Sequence, residues 1–381
     1  MSQSPKPIYC PALRMKAGEL EGVRQLAPDV ADCVLPRFIV PPKRERDETT
    51  PLLFDAGPMP DIASALSMSW RDRSVMIDCT HTIDEYGRSR LEDWLPPMFA
   101  RARKSGVQAI PVALLSDIGH VEAAAFRAAI ATSGSINFAI CVPTDDMVGS
   151  EFNDALKAAL KRLGLSVQNC AVLADFGRSE FGDPAIVADI ISGSLETLQE
   201  CGPWKQIIFQ GTHYPETNPA EDGNFEICPR NEWLAWRRAV NFDPSTAEYM
   251  IFGDYAADCA KMDFSKSSGA AAIRHVRYAT AEHWRVQRAV KQGSDAVRMR
   301  GVYKAIYDSA DFAGSGFSAA DAFIARAAND PNVKPGNAKT WRQLNTTHHI
   351  TQVVSDIARV RGVPIKKVAP EEFETQMSLL A

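Results

Sequence analysis

The stretch Tyr249–Tyr255 reads YMIFGDY. Apolar residues run into a glycine, an acid and an aromatic, and the apolar run ends there. Its length and bounds suit the eighth and last strand of a (β/α)8 TIM-like barrel. Asp254 would then lie at the carboxyl end of a barrel strand, where that fold carries its working groups. The residues before the stretch would build the barrel. The residues after it would form an appended piece positioned over the barrel's mouth.

Seven earlier apolar runs support this. They are Ile8–Leu13, Val34–Val40, Val75–Cys79, Gln108–Leu115, Ile136–Val142, Asn169–Ala174 and Lys205–Phe209. Each is short and nearly continuously apolar, as parallel strands covered on both faces are. Pro11 is awkward in the first run, because proline lacks an N–H. Helical spacing fills the intervals, over 18–26, 61–69, 91–104, 121–132, 153–163, 184–200 and 233–240. Asp183 and Pro184 suit the N-cap and first position of one of these helices. Residues 43–60 read as a charged, Pro-rich loop. A doubly wound open sheet is the alternative, but no GxGxxG turn comes after the first strand. The expected organisation is a barrel over residues 1–260 and a C-terminal α+β extension over 261–381. In the extension, 270–280 and 283–291 read as a hairpin. Helices are expected after it, over 295–309, 317–328 and 340–360.

The 381 residues are 45% hydrophobic and 23% charged, with a formal net charge of -5. That composition is ordinary for a soluble domain and argues against general coating of nucleic acid. The start, MSQSPKP, lacks the pattern of a signal peptide. No apolar run approaches the roughly 18 residues that span a bilayer. The eight cysteines form no CxxC pair, which speaks against structural zinc. Cys10, Cys79, Cys141 and Cys170 fall in or at the ends of predicted buried strands. Reduced thiols in a cytoplasm are expected.

Several motifs, taken in order, resemble one family. They are YCPALRMKAGE, the PP after the second strand, Phe252-Gly253-Asp254-Tyr255, the segment Arg274–Tyr278, FSAADAFI and THHIT. Together they resemble the "beta protein" family encoded by phages and bacteria, over nearly the whole chain. The resemblance implies that Lys16, Glu19, Asp254, Tyr255, Arg274, Tyr278, His348 and His349 lie in recurring motifs. It implies a setting of phage–host conflict and no particular reaction.

Three constellations could carry chemistry. The first is a ring of polar residues at strand ends: Arg14 and Lys16, Asp78 and Thr80, Asp117, Asp175, Gln210 and His213, and Asp254. Alternation puts Asp254 with Met250 and Phe252, and Asp175 with Ala171 and Leu173, without deciding which face is the lumen. Converging carboxylates would hold a divalent metal such as Mg or a phosphorylated ligand. The plainer role is capping of the next helices. Arg37, in mid-strand, either points inward to a carboxylate across the barrel or snorkels outward between helices. The second constellation is the basic hairpin with Arg274, His275, Arg277, Tyr278, Trp284, Arg285 and Arg288. It suits phosphate or nucleic acid, or else a solvated face paired with acids. The third is His348–His349, whose side chains diverge by about 100° on a helix and so do not chelate one metal easily. No Walker A, HExxH or GxSxG motif is present.

The leading expectation is a cytoplasmic metal-assisted hydrolase acting on a phosphate-bearing substrate, a nucleotide or a nucleic-acid end. Asp254, Asp78 and Asp175 would bind metal or act as base. Lys16, Arg14, Arg274, Arg277, Tyr278 and Tyr255 would hold substrate, and His348 or His213 would move a proton. The rival is a non-catalytic module that docks a phage product or a partner enzyme. The fold does not choose between them.

Overall fold

The computed structural model describes residues 6–46, 61–119, 121–261 and 273–365. Eight strands form one parallel sheet in the order β1 (Ala12–Arg14), β2 (Arg37–Ile39), β3 (Ser74–Asp78), β4 (Gln108–Leu114), β5 (Phe138–Pro143), β6 (Cys170–Asp175), β7 (Gln206–Gln210) and then β9 (Met250–Ile251). Helices connect consecutive strands and cover the convex side. The sheet curls, and backbone bonds join the segments at its two ends. Tyr9, ahead of β1, makes a parallel bridge to Phe252. The Cys10 N–H donates to the Phe252 carbonyl at 2.9 Å, and the Ala12 N–H to that of Asp254 at 2.7 Å.

The predicted runs map onto these strands with shifts of one to four residues. The largest correction falls on Tyr249–Tyr255, expected as one strand. Only Met250–Ile251 is regular strand, and Tyr249 ends a short helix, Ser245–Tyr249. The reason lies at Gly253. A Cβ there would stand 2.5 Å from the Cys10 carbonyl oxygen and 2.7 Å from that of Phe209. The backbones crowd so closely at this seam that the ladder gives way to single bonds. Pro11 lies between the Tyr9 bridge and β1, where its missing N–H interrupts the first strand.

Two cores separate the sheet's faces. Met76, Val112, Cys141, Leu173, Ile208 and Ile251 pack together on the concave side. Val75, Ile77, Val172, Phe209, Met250 and Phe252 pack under the helices. This settles the parity question left by the sequence. Asp175, in step with Ala171 and Leu173, faces the concave side. Asp254, in step with Met250 and Phe252, faces the convex side.

Between β7 and β9 lies a strand the sequence did not suggest, β8 (Phe225–Pro229). It joins the hairpin β10 (His275–Ala279) and β11 (His283–Arg288) in an antiparallel sheet ordered β10-β11-β8. Helices Asp295–Tyr307 and Ala319–Asn329 pack with the hairpin. The last helix, Ala338–Arg361, lies on helix Ala17–Arg24 and sends Ile350, Val353, Val354 and Ile357 into the convex-side core. Its start carries an Asn337 capping box. Among the described residues, no helix is long and apolar enough to cross a membrane.

Gly253→Ala should therefore destabilise the protein by at least about 2 kcal/mol, because backbone must move to admit the methyl group. Gly193→Ala, mid-helix with nothing within 4 Å of the added Cβ, should stabilise it by about 0.5–1 kcal/mol. Urea melts of the two variants check both signs.

Candidate functional site

The concave face ends in a buried polar layer centred on Arg37. Its Nε and Nη2 donate to Asp78 Oδ2 at 3.0 and 2.6 Å. Its Nη1 donates to Gln210 Oε1 at 2.6 Å and to Asp175 Oδ2 at 3.2 Å. Arg37 thus points inward and finds carboxylates beside and across the sheet. Asp78 also accepts from the Thr80 N–H at 2.9 Å and hydroxyl at 2.7 Å. Burial would raise the Asp78 pKa, but Arg37 and the Thr80 bonds hold it below its ordinary value. Asp175 accepts from the Tyr255 hydroxyl at 3.0 Å and the Gly177 N–H at 2.8 Å. Two of the three carboxylates expected to act are therefore counterions of one guanidinium.

The third, Asp254, is buried on the convex face. Its Oδ1 accepts from the Tyr9 hydroxyl at 2.5 Å and the Ala256 N–H at 2.9 Å, and its Oδ2 from His349 Nε2 at 2.7 Å. The indole N–H of Trp284 donates to His349 Nδ1 at 3.3 Å. That bond fixes the neutral tautomer with its proton on Nε2, in line with burial pushing the His349 pKa down. Behind this chain lie Arg230 and Glu232, both fully buried. Burial pushes Glu232 up to about 8 despite the nearby Arg230. Its Oε2 accepts from the His213 N–H at 3.1 Å, so His213 meets this network through its backbone.

His348 points elsewhere, as adjacent helical residues must. Its Nδ1 lies 3.0 Å from Asp321 Oδ2 and its Nε2 2.7 Å from the Ala279 carbonyl oxygen. Tyr278 stacks on the ring at 3.8 Å and donates to Asp321 Oδ1. This cluster sits inside the extension.

The remaining cations gather at the rim. A cavity of about 210 Å³ opens between the strand ends and the extension, with Arg14, Tyr255, Asp258, Arg277, Arg342 and Glu19 in its wall. Asp258 is its centre. Arg277 Nη1 lies 2.8 Å from Oδ1, and Arg342 Nη1 and Arg14 Nη2 lie 3.3 and 3.5 Å from Oδ2. Burial opposes the Asp258 charge, but the three arginines pull its pKa far below the usual carboxylate range. Arg342 also donates to Glu19 Oε1 at 2.8 Å. The cavity thus holds three guanidiniums against two carboxylates. His275 completes the wall. It accepts from Arg277 Nε at 3.0 Å, and its Nδ1 faces the Ile273 carbonyl. Burial and Arg277 push it down to about 3, so it stays neutral and orients Arg277.

Of the expected substrate-binding residues, the structure brings Arg14, Arg277 and Tyr255 to this cavity. Lys16 lies beside it, bonded to Glu45 at 3.1 Å, and Arg274 pairs with Asp295 away from it. Tyr278 faces the extension's interior. The sequence reading missed Asp258 and Arg342. The first lies past the last strand of the parallel sheet, the second near the start of a distant helix, and no spacing links them. Among the described residues, no group of three or more His, Cys, Asp or Glu side chains is placed to hold a metal ion. The acids expected to bind Mg face opposite sides of the sheet, so that donor set does not form.

The buried groups set a pH dependence. The folded protein refuses protons at His349 and His275, and in part at half-buried His213, that the unfolded chain takes up below about pH 6.5. Stability from these groups is full above that value and falls by up to about 1.4 kcal/mol per histidine per pH unit below it. Glu232 acts oppositely, because its folded pKa is raised. Its contribution is full at low pH and is lost as pH rises from about 4.3 toward about 8. Three histidines outweigh it below pH 6.5, so the melting temperature should peak near that pH. Glu232→Gln should flatten the decline above the peak and leave the acid limb in place. Melts at half-unit pH steps test this.

No curated protein matches the chain. Among solved structures, a variant of Rhizobium etli pyruvate carboxylase crystallized without acetyl coenzyme-A is similar at 12% identity and a TM-score of 0.33. The match covers 93% of this chain and 29% of that one, and is too weak to carry an inference. The Beta protein family profile matches residues 9–355. With the curled parallel sheet, the Asp254 seam and the paired histidines of its last helix, this chain belongs to the Beta protein family.

Proposed function

We propose that this protein is a binding module for a small phosphate-bearing ligand, held at the rim cavity by Arg14, Arg277 and Arg342. The observation that carries the reading is three guanidiniums, from β1, β10 and the last helix, converging on one cavity. Planar guanidiniums suit the paired oxygens of phosphate. The exposed edge of Arg342 and the smaller one of Arg277 leave donors reachable from solvent (32% and 18% of their side-chain surface). Glu19 Oε2 is buried in the cavity wall and has no hydrogen-bond partner among the described residues. A ligand with a hydroxyl or ammonium group beside its phosphate would satisfy it. The volume of about 210 Å³ falls below the roughly 300 Å³ at which sites for drug-sized molecules begin. That favours a small phosphomonoester over a nucleotide.

The bonds between Tyr9 and Phe252 and beyond support reading the sheet as a closed (β/α)8 barrel. The cavity then lies at the carboxyl-terminal rim, where barrels place their ligands. All eight cysteines are free thiols, which supports a reducing, cytoplasmic setting. A hydrolase is less well supported. Asp78 and Asp175 already neutralise Arg37, and His275 offers no base near neutral pH. Nucleic acid is less well supported too, since the hairpin's other arginines, Arg274, Arg285 and Arg288, each pair with an acid of the chain itself.

Calorimetric titration tests the proposal. Glycerol phosphate should bind more tightly than inorganic phosphate, and both more weakly as salt rises. Arg342→Gln, assayed below its own melting temperature, should weaken binding at least about tenfold, equal to about 1.4 kcal/mol. It should also lower the melting temperature, because buried Glu19 and Asp258 each lose a cationic partner. Equal binding by Arg342→Gln and wild type, or no binding of either anion at low salt, would refute it.

A further inference from the structure

The extension's three-stranded sheet has one open edge, on β8. The Arg288 N–H donates to the Asn224 carbonyl at 3.0 Å, and the Arg230 N–H to that of Glu282 at 2.8 Å. In an antiparallel pair, alternate residues bond to the neighbour. Residues 224, 226, 228 and 230 therefore point their backbone groups at β11. Phe225, Ile227 and Pro229 point theirs outward, with no strand beyond among the described residues. The same residues carry exposed side chains: Phe225 keeps 47% of its surface and Ile227 40%. Helix Asp295–Tyr307 packs on β10 and β11 and leaves this part of the sheet uncovered. Proteins blunt an open edge with lysine, a bulge or a cover, because it templates further pairing. Within β8 the edge is blunted only by its short length, by Pro229 and by Glu226, whose side chain points to the opposite face from Phe225 and Ile227.

We infer that β8 pairs with β8 of a second copy of this chain, antiparallel about a two-fold axis at Ile227, making one six-stranded sheet. The register follows from the outward groups. Ile227 faces Ile227 of the second copy and exchanges two hydrogen bonds with it. Each Phe225 N–H meets the carbonyl of Pro229 in the other copy, and the missing proline N–H removes one bond at each end. On the opposite face Glu226 meets Cys228. Shifting the axis to Glu226 would set two carboxylates against each other, a like-charge pair that opposes association. Phe225 and Ile227 gain apolar cover. A five-residue strand pair buries less than the roughly 1,200 Å² of a stable interface, so the dimer is weak and concentration-dependent.

Sedimentation equilibrium of the full chain tests this. The average mass should rise above 41.8 kDa toward twice that value as concentration climbs through the micromolar range. Ile227→Lys should hold the protein at monomer mass with an unchanged melting temperature, whereas Phe242→Lys, at another exposed apolar position, should still dimerise. Ile227→Cys tests the register, because bonded antiparallel partners stand about 5.5 Å apart at Cα, within disulfide reach. It should form a disulfide to the same position of the second copy on oxidation, and Phe225→Cys should not. A monomer at all concentrations, a dimer indifferent to Ile227→Lys, or cross-linking at 225 in place of 227 would overturn the inference.

Discussion

A single carboxylate, Asp258, ties three parts of the chain together. Arg14 reaches it from the first strand, Arg277 from the hairpin and Arg342 from the last helix. A buried charge without partners costs several kcal/mol, so Asp258 and the arginines lower each other's burial cost, and the carboxylate offsets the repulsion among the three cations. The turn that presents Asp258 is itself strained. Ala256 and Ala257 adopt φ of 49° and 57°, a left-handed pair that L-residues avoid at about 1–2 kcal/mol each. Three bonds hold it, from the Ala256 N–H to Asp254, from the Asp258 N–H to the Tyr255 carbonyl and from Arg277 to the Ala257 carbonyl. Asp254 thereby acts through the turn. It anchors the seam on the convex side, and Asp258 appears at the rim four residues later.

The same economy of charge governs the interior. Arg37 satisfies Asp78 and Asp175 within the concave face, and that layer closes the top of the apolar core. Tyr255 links the two systems, since its hydroxyl bonds Asp175 while its ring lines the rim cavity. The ligand proposed for the rim would meet a wall whose arginines are already held in place, which is what precise anion recognition needs.

Much of this was legible in the sequence. Short apolar runs separated by helical spacing gave the strand order. The arginine in mid-strand left two readings, inward to an acid across the barrel or outward between helices, of which the structure takes the first. The alternation of side chains grouped Asp254 with Phe252 and Asp175 with Leu173. It could not say which group faced inward, because both faces of a covered parallel strand are apolar. β8 was hidden for a related reason. Its FEICP run is brief and ends in proline, and it is a strand only because the hairpin arrives some 50 residues later to pair with it. Asp258 and Arg342 have no local signature at all, since their meeting depends on how the last helix crosses the rim.

The most direct measurement is a crystal structure of the protein grown with glycerol phosphate. The account predicts a tetrahedral group in the rim cavity, about 2.7–2.9 Å from the guanidiniums of Arg277 and Arg342, with a ligand hydroxyl on Glu19. An empty cavity, or the phosphate seated instead against Arg37 or at the opposite end of the strands, would contradict it.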